Sequence, residues 1–317
     1  MKRGIKMAVT NTQKRTNERQ LLGGVNLKVR QQVLKDKSAS FYNDYGEDLS
    51  EKYELTVKTT DSQARALQRR DLMESHVIDN GKFIITFFES AKLLGSRFPS
   101  LLTQDIARLI FIGTYVAWET NRLQSDNGKK VLKKKDIREL IVMSPKRFNE
   151  LYKKYVAAGV VIEGDDKELY INPTVLYRGN VKELGGIVSG LDHTRVFRKT
   201  VRELYAQFNG RKISQLALVY SVIPFLNFDS NMICHNPNEI VTDKVKPINI
   251  KELADILGYE NDSKLKKSLN GINVDGVPMF TFIEGAYNRR NKRIIVNPRI
   301  IFAGNGEALE QIKKYFN

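Results

Sequence analysis

Lys-Glu-Leu-Tyr-Ile-Asn-Pro-Thr-Val-Leu-Tyr-Arg-Gly-Asn, residues 167–180, returns as Lys-Arg-Ile-Ile-Val-Asn-Pro-Arg-Ile-Ile-Phe-Ala-Gly-Asn at residues 292–305. Each stretch is a short β-type run, an Asn-Pro stop, an apolar triplet and a Gly-Asn exit. A single Asn-Pro is only a turn signal. Two in matching context, Asn172-Pro173 and Asn297-Pro298, lie 125 residues apart, about one domain length. That pattern reads as a duplication.

The similarity extends upstream. Residues 98–121 align without gaps on 208–231: Phe98 meets Phe208, Ile106 meets Leu216, Leu109 meets Val219, Ile112 meets Val222, and Asn121 meets Asn231. Asp136-Ile137-Arg138-Glu139-Leu140 matches Asn249-Ile250-Lys251-Glu252-Leu253. The offset grows from 110 to 113 to 125 along the repeat, so insertions fall in loops. Apolar positions coincide while polar ones drift, as a shared core requires.

Hydrophobic periodicity supplies the elements. In the first copy Phe83, Phe87, Ala91, Leu94 and Phe98 predict a helix over 82–98, followed by a more buried helix over 103–119. A short helix over 135–142 precedes Ser144-Pro145, an N-cap with Pro at the first helical position, which opens a helix to 157. Val160-Val161-Ile162 and Leu169-Tyr170-Ile171 predict a β-hairpin. In the second copy Asp192 is expected to cap a helix buried through Val196 or Phe197, Val201, Leu204 and Phe208, before a central helix over 212–227 that Pro224 kinks or ends. Helices over 250–257 and from Asn261 or Asp262 to 271 follow, with Gly258 between them. A hairpin of 279–283 with 293–296 and a last helix over 306–316 complete the copy.

Helix, helix, short helix, tight turn, helix, hairpin is the order of a winged helix-turn-helix. The expected fold is thus mostly α with small β-hairpins (α+β): two tandem winged helix-turn-helix domains behind a basic N-terminal extension. The boundaries read as 1–80 extension, 81–180 first domain, 181–191 Gly-bearing linker and 192–317 second domain. Within the extension, residues 1–20 read as a polar basic tail, Leu21–Leu34 as a weak helix, and 61–76 as a polar helix.

Charge indicates the partner. The 317 residues carry 52 Lys and Arg against 36 Asp and Glu, a formal net charge of +16. With pI near 9.7, such an excess favours polyanions, nucleic acid first. Half of it, +8, falls in residues 1–40, a candidate arm along a phosphate backbone or a solvated tail. The single cysteine, Cys234, excludes an internal disulfide and suits a reducing cytoplasm. No run approaches a membrane span, and no signal peptide is visible.

A recognition helix buries one face and turns the other to the major groove. The outward set is Lys146, Arg147, Asn149, Glu150, Lys153 and Lys154 in the first copy, and Lys264, Lys266, Lys267, Ser268 and Asn270 in the second. Lys and Arg suit phosphates, while Arg147, Asn149 and Asn270 suit base edges. Arg289, Arg290, Lys292 and Arg293 make the second wing basic, whereas Gly164-Asp165-Asp166 makes the first acidic. The two copies are therefore not expected to be equivalent on DNA.

Catalytic motifs are missing from the sequence. There is no G-x-x-x-x-G-K-[ST] loop, His76, His193 and His235 are scattered, and Cys234-His235 has no second ligand pair at zinc spacing. The expectation is a binding protein, not an enzyme, with no cofactor and no metal.

Tandem winged-helix units in a basic protein of this size, with the strand, Asn-Pro and apolar triplet of Tyr170–Tyr177 and Ile295–Phe302, resemble plasmid and phage replication initiators. The resemblance spans residues 82–305 at the level of architecture; the N-terminal 80 residues are outside it. It implies sequence-specific duplex binding at origin repeats in the cytoplasm of a bacterial host, homodimers, and helicase or primase as replication partners. A transcriptional regulator would make the same DNA contacts. A structural or assembly protein using winged helices for protein contacts is the alternative of another class.

Overall fold

A computed structural model describes residues 61–208, 213–284 and 292–316. The readings for residues 1–60 lie outside the described residues, as do Arg289 and Arg290. By contacts the chain divides into Met1–Arg65 and Ala66–Asn317. Of the first unit only Asp61–Arg65 are described, so the architecture is that of the second.

The fold is mixed α/β with small antiparallel sheets. In chain order, α1 (Asp61–Asp79) leads into β1 (Phe83–Phe88), then α2 (Thr103–Gly113), α3 (Lys134–Leu140) and α4 (Pro145–Ala157). A hairpin of β2 (Val161–Glu163) and β3 (Leu169–Ile171) and a short β4 (Leu176–Tyr177) come next. The second copy runs β5 (Asp192–Phe197), α5 (Arg198–Phe208), α6 (Ile213–Ser221), α7 (Ile250–Leu257) and α8 (Asp262–Asn270). It ends with β6 (Asn273–Val274), β7 (Val277–Pro278), the hairpin β8 (Phe280–Ile283) and β9 (Arg293–Val296), β10 (Ile301–Phe302) and α9 (Gly306–Lys313). Among the described residues no helix is long and apolar enough to cross a membrane.

Two expected helices are corrected. Residues 83–88 are a strand, and the helical reading of 82–98 fails after it into a 3-10 turn at Leu94–Arg97. Phe-Ile-Ile-Thr-Phe-Phe is β-branched and aromatic throughout and is buried on both faces, so the helical spacing of Phe83 and Phe87 is incidental. Likewise Asp192–Phe197 form β5, and the helix begins only at Arg198. Two central helices are shorter than expected: α2 stops at Gly113, and Pro224 sits in a 3-10 turn beyond α6.

Local signals set the other helix ends. Asn249 caps α7 by accepting from Lys251 N and Glu252 N, and Gly258 ends it at φ 71°. Asn261 caps α8 through Lys264 N. Ser144 stands at the N-cap of α4, but its side chain makes no capping bond and Pro145 fixes the start.

The duplication is written in hydrogen bonds. Asn121 and Asn231 are both buried and both in the left-handed region, at φ 55° and 53°. Asn121 Nδ2 donates to Ile171 O at 3.1 Å and Leu176 O at 2.6 Å. Asn231 Nδ2 donates to Val296 O and Ile301 O, both at 2.8 Å. Asn172 and Asn297 repeat one another too, donating to Gly159 O and Pro278 O and accepting from the backbone two residues on. The Asn-Pro pairs thus close each hairpin against its own copy.

The copies meet across an internal two-fold. A four-stranded sheet runs β10-β5-β1-β4, all antiparallel, with Ile85 paired to Arg195. Those two residues are repeat mates, so the axis passes through their pair. Accordingly Ile85 pairs with Tyr177 as Arg195 pairs with Phe302. One sheet face, through Ile84, Phe88 and Val196, belongs to the main core with α2 and α6, which pack on each other.

The other face carries two lids. Val188, with Leu184 and Leu191, covers Ile85, Phe87 and Tyr177. Leu309 and Ile312 of α9, with Met73 and Val77 of α1, cover Phe197 and Phe302. Residues 181–191, read as a linker, therefore supply a packed lid of 3-10 turns at Val181–Val188, the repeat mate of α9. Asn180 and Asn305 cap the two mates, and Gly185, at φ 53°, breaks the first where the second stays helical.

The burial of these polar groups is open to test. Asn121→Ala and Asn231→Ala each remove the Nδ2 donor of two buried hydrogen bonds to carbonyls and place Ala at positive φ, which sums to about 3 kcal/mol. Urea unfolding should show that loss; a loss below about 1 kcal/mol would refute the clamp. His76 is buried, hydrogen-bonded to Pro298 O at 2.9 Å and packed edge-on against Phe197, and desolvation holds its pKa down to about 4. Its folded pKa lies below the unfolded value of 6.5, so the unfolded chain protonates first as pH falls. Stability is full above pH 6.5 and falls towards pH 4, by on the order of 3 kcal/mol from this group. His76→Gln should flatten that slope relative to the parent chain in unfolding measured across the same range.

Candidate nucleic-acid interface

α4 buries Phe148, Leu151, Tyr152 and Tyr155 and leaves Lys146, Arg147, Asn149, Glu150, Lys153 and Lys154 exposed. Its orientation is fixed from beneath. Tyr155 Oη donates to Asp105 O at 2.6 Å, and Lys154 Nζ lies 3.5 Å from the Asp105 carboxylate. Burial pushes the Tyr155 hydroxyl well above its ordinary range, so it remains a donor. Tyr152 Oη donates to Glu163 and ties α4 to the following hairpin.

α3 adds a cationic wall that was not expected from the sequence. A groove of about 380 Å³ between α3 and the start of α4 is lined by Lys134, Lys135, Arg138, Pro145, Phe148 and Asn149. Lys134 Nζ sits 4.3 Å above the Tyr152 ring. The signal in the sequence is the basic run Lys133–Lys135, which lies on the first helix of the pair and not on the one that a winged helix assigns to the groove. Between the helices Val142 is exposed at φ 52°, a left-handed conformation that β-branched residues rarely adopt.

The second copy arranges its charges differently. α8 buries Leu265 and Leu269 and exposes Lys264, Lys266, Lys267 and Asn270; Ser268 is half-buried and bonds back to Lys264 O. Lys264 is paired with Glu260, and Lys266 Nζ lies 5.9 Å from the Phe282 ring, linking α8 to the β8–β9 hairpin. Residues 134–157 carry seven basic and three acidic side chains, whereas residues 250–270 carry four of each. Cationic excess therefore belongs to the first helix pair.

The hairpins reverse that order. Arg293 is exposed and Lys292 pairs with Glu284 at 3.2 Å. The first hairpin turns through exposed Asp165 and Asp166, with Glu168 held by Arg122 at 3.0 Å and by the Tyr170 hydroxyl.

The three histidines remain apart. His76 is buried, His193 lies on the lidded sheet face, and His235 faces Glu252 at 3.5 Å. Among the described residues no group of three or more His, Cys, Asp or Glu is placed to hold a metal ion. Cys234 is fully buried, and burial pushes its thiol up to about 11. It should resist an aromatic disulfide reagent at pH 8 in the folded chain and react promptly in denaturant; prompt reaction without denaturant would contradict its burial.

Compared with protein-family models, curated proteins and solved structures, the chain matches none.

Proposed function

We propose that this chain is a sequence-specific duplex DNA-binding protein, each copy of its repeat a winged helix-turn-helix, and that it serves a plasmid or phage as a replication initiator recognising origin repeats. The observation that carries the reading is the exposed polar face of α4, braced by Tyr155 and Lys154 on Asp105 and flanked by the basic groove against α3. In the proposal α4 enters a major groove. Lys146, Lys153 and Lys134 neutralise phosphates, while Arg147 addresses guanine O6 and N7 and Asn149 adenine N6 and N7.

The internal two-fold bears on the form of the site. A duplex lying across the axis meets α4 and α8 in opposite senses, hence as two inverted half-sites. Because the helices differ in sequence, the half-sites differ as well. Lys292 and Arg293, with Arg289 and Arg290, hold the backbone on the second side. Helicase or primase activity would come from partners, in a bacterial cytoplasm and with homodimers as a further level of assembly. A transcriptional regulator with the same contacts differs only in where its site lies.

Selection of bound duplexes from a random library at about 150 mM salt is the direct test. A bipartite, partly inverted site is expected, and its genomic position separates origin from promoter. Replacing Lys134, Lys135, Arg138, Lys146 and Arg147 with Ala should lower the slope of log affinity against log salt by about 0.9 for each phosphate no longer neutralised. A parent chain that enriches no site, or whose association ignores both salt and these replacements, would point instead to an assembly protein working through protein contacts.

A further inference from the structure

Beside the start of the first lid a cavity of about 410 Å³ opens on the sheet at the internal two-fold, with Ala303 on its other side. Its floor holds two pairs of repeat mates, Phe83 with His193 and Ile85 with Arg195. All four project from the same sheet face, as the β1–β5 register requires. The first copy contributes two apolar side chains and the second two nitrogen bases at the same positions. Asn180 and Lys182, from the start of the first lid, stand at the rim.

Arg195 is the informative member. Its half-buried guanidinium donates from one nitrogen to Ala303 O at 3.0 Å and Gly304 O at 3.2 Å, and stands 5.6 Å from the Phe83 ring centroid. No carboxylate among the described residues pairs with it within salt-bridge distance; Arg97 and Arg178 are likewise held by backbone carbonyls, whereas Arg198 also pairs with Asp126 at 2.8 Å. A guanidinium presents five N–H donors in a planar fork, and two backbone carbonyls leave donors on its outer edge. A cation half-withdrawn from water beside an apolar floor favours an anion that brings its own apolar body.

We infer that this cavity is a binding site for a small organic anion, a carboxylate or phosphate monoester whose acid group meets Arg195 and Lys182 and whose apolar part lies against Phe83. The site is independent of the nucleic-acid reading. It uses the sheet face opposite the main core, and both copies of the repeat contribute to it.

The test uses the full chain with benzoate and phenylphosphate as probes, and benzyl alcohol and inorganic phosphate as controls, followed by calorimetric titration. Saturable binding of benzoate or phenylphosphate is expected at one site, at least about tenfold tighter than either control. The arm that binds tighter distinguishes carboxylate from phosphate. Arg195→Gln should weaken the better probe at least about tenfold; because that change also touches two backbone carbonyls, the exposed Lys182→Glu is measured beside it and should weaken binding in the same direction. Failure of both aromatic anions to bind, inorganic phosphate binding as tightly as phenylphosphate, or affinity unchanged in both variants would each overturn the assignment.

Discussion

Asn121 and Asn231 each hold the end of the hairpin and the strand after it to one buried point. The carboxamide donates to both carbonyls, and each backbone carbonyl accepts from the hairpin strand, at Ile171 N and Val296 N. A left-handed φ at each Asn turns the chain so that this is possible, which asparagine tolerates better than other residues with a Cβ. From that point β4 and β10 are delivered to the outer edges of the sheet, and β1 and β5 are left to pair at its centre. The relation between the copies therefore follows from a bond pattern formed inside each one.

Much of this was legible in the residues, because the sequence signals were local. Asn-Pro, Pro145, Gly258 and Asn261 mark ends, and each end falls where short-range chemistry puts it. The hairpins were readable because Val160–Ile171 and Met279–Val296 alternate or run apolar between polar turns. What escaped was non-local. β1 and β5 are strands because each lies against the other, with β1 buried on both faces, a circumstance no window of one copy contains. The lid of Val181–Val188 was hidden by Gly185 and Gly186, which disguise its kinship with Gly306–Lys313 despite the shared Gly-Asn start and the mates Leu184 and Leu309.

The candidate interface divides in the same way. The outward residues of α4 and α8 were readable from helical periodicity and are exposed, except Ser268, which is half-buried. The cationic groove lined by Lys134, Lys135 and Arg138 was not readable, since it lies between two helices and not on either helix alone. Lys154 reads as wholly outward, yet it shares Asp105 with the brace beneath α4. A residue with one end in a buried network and the other at the surface reads from sequence only as surface.

Fusing two copies into one chain changes what the two-fold demands of each. In a homodimer a residue on the axis faces its own twin, so a cation there faces a cation. Here the twin of Arg195 is Ile85, and the charge stands beside a hydrocarbon instead of an equal charge. The same freedom separates Lys134–Ala157, rich in cations, from Ile250–Asn270, where charges balance. The copies remain alike where both need the same bond: the two clamping asparagines, the Asn-Pro closures and the asparagines that cap the two lids. The duplicated interior is thus held by polar atoms of fixed geometry, while the surfaces and the cavity on the axis are where the halves have become different.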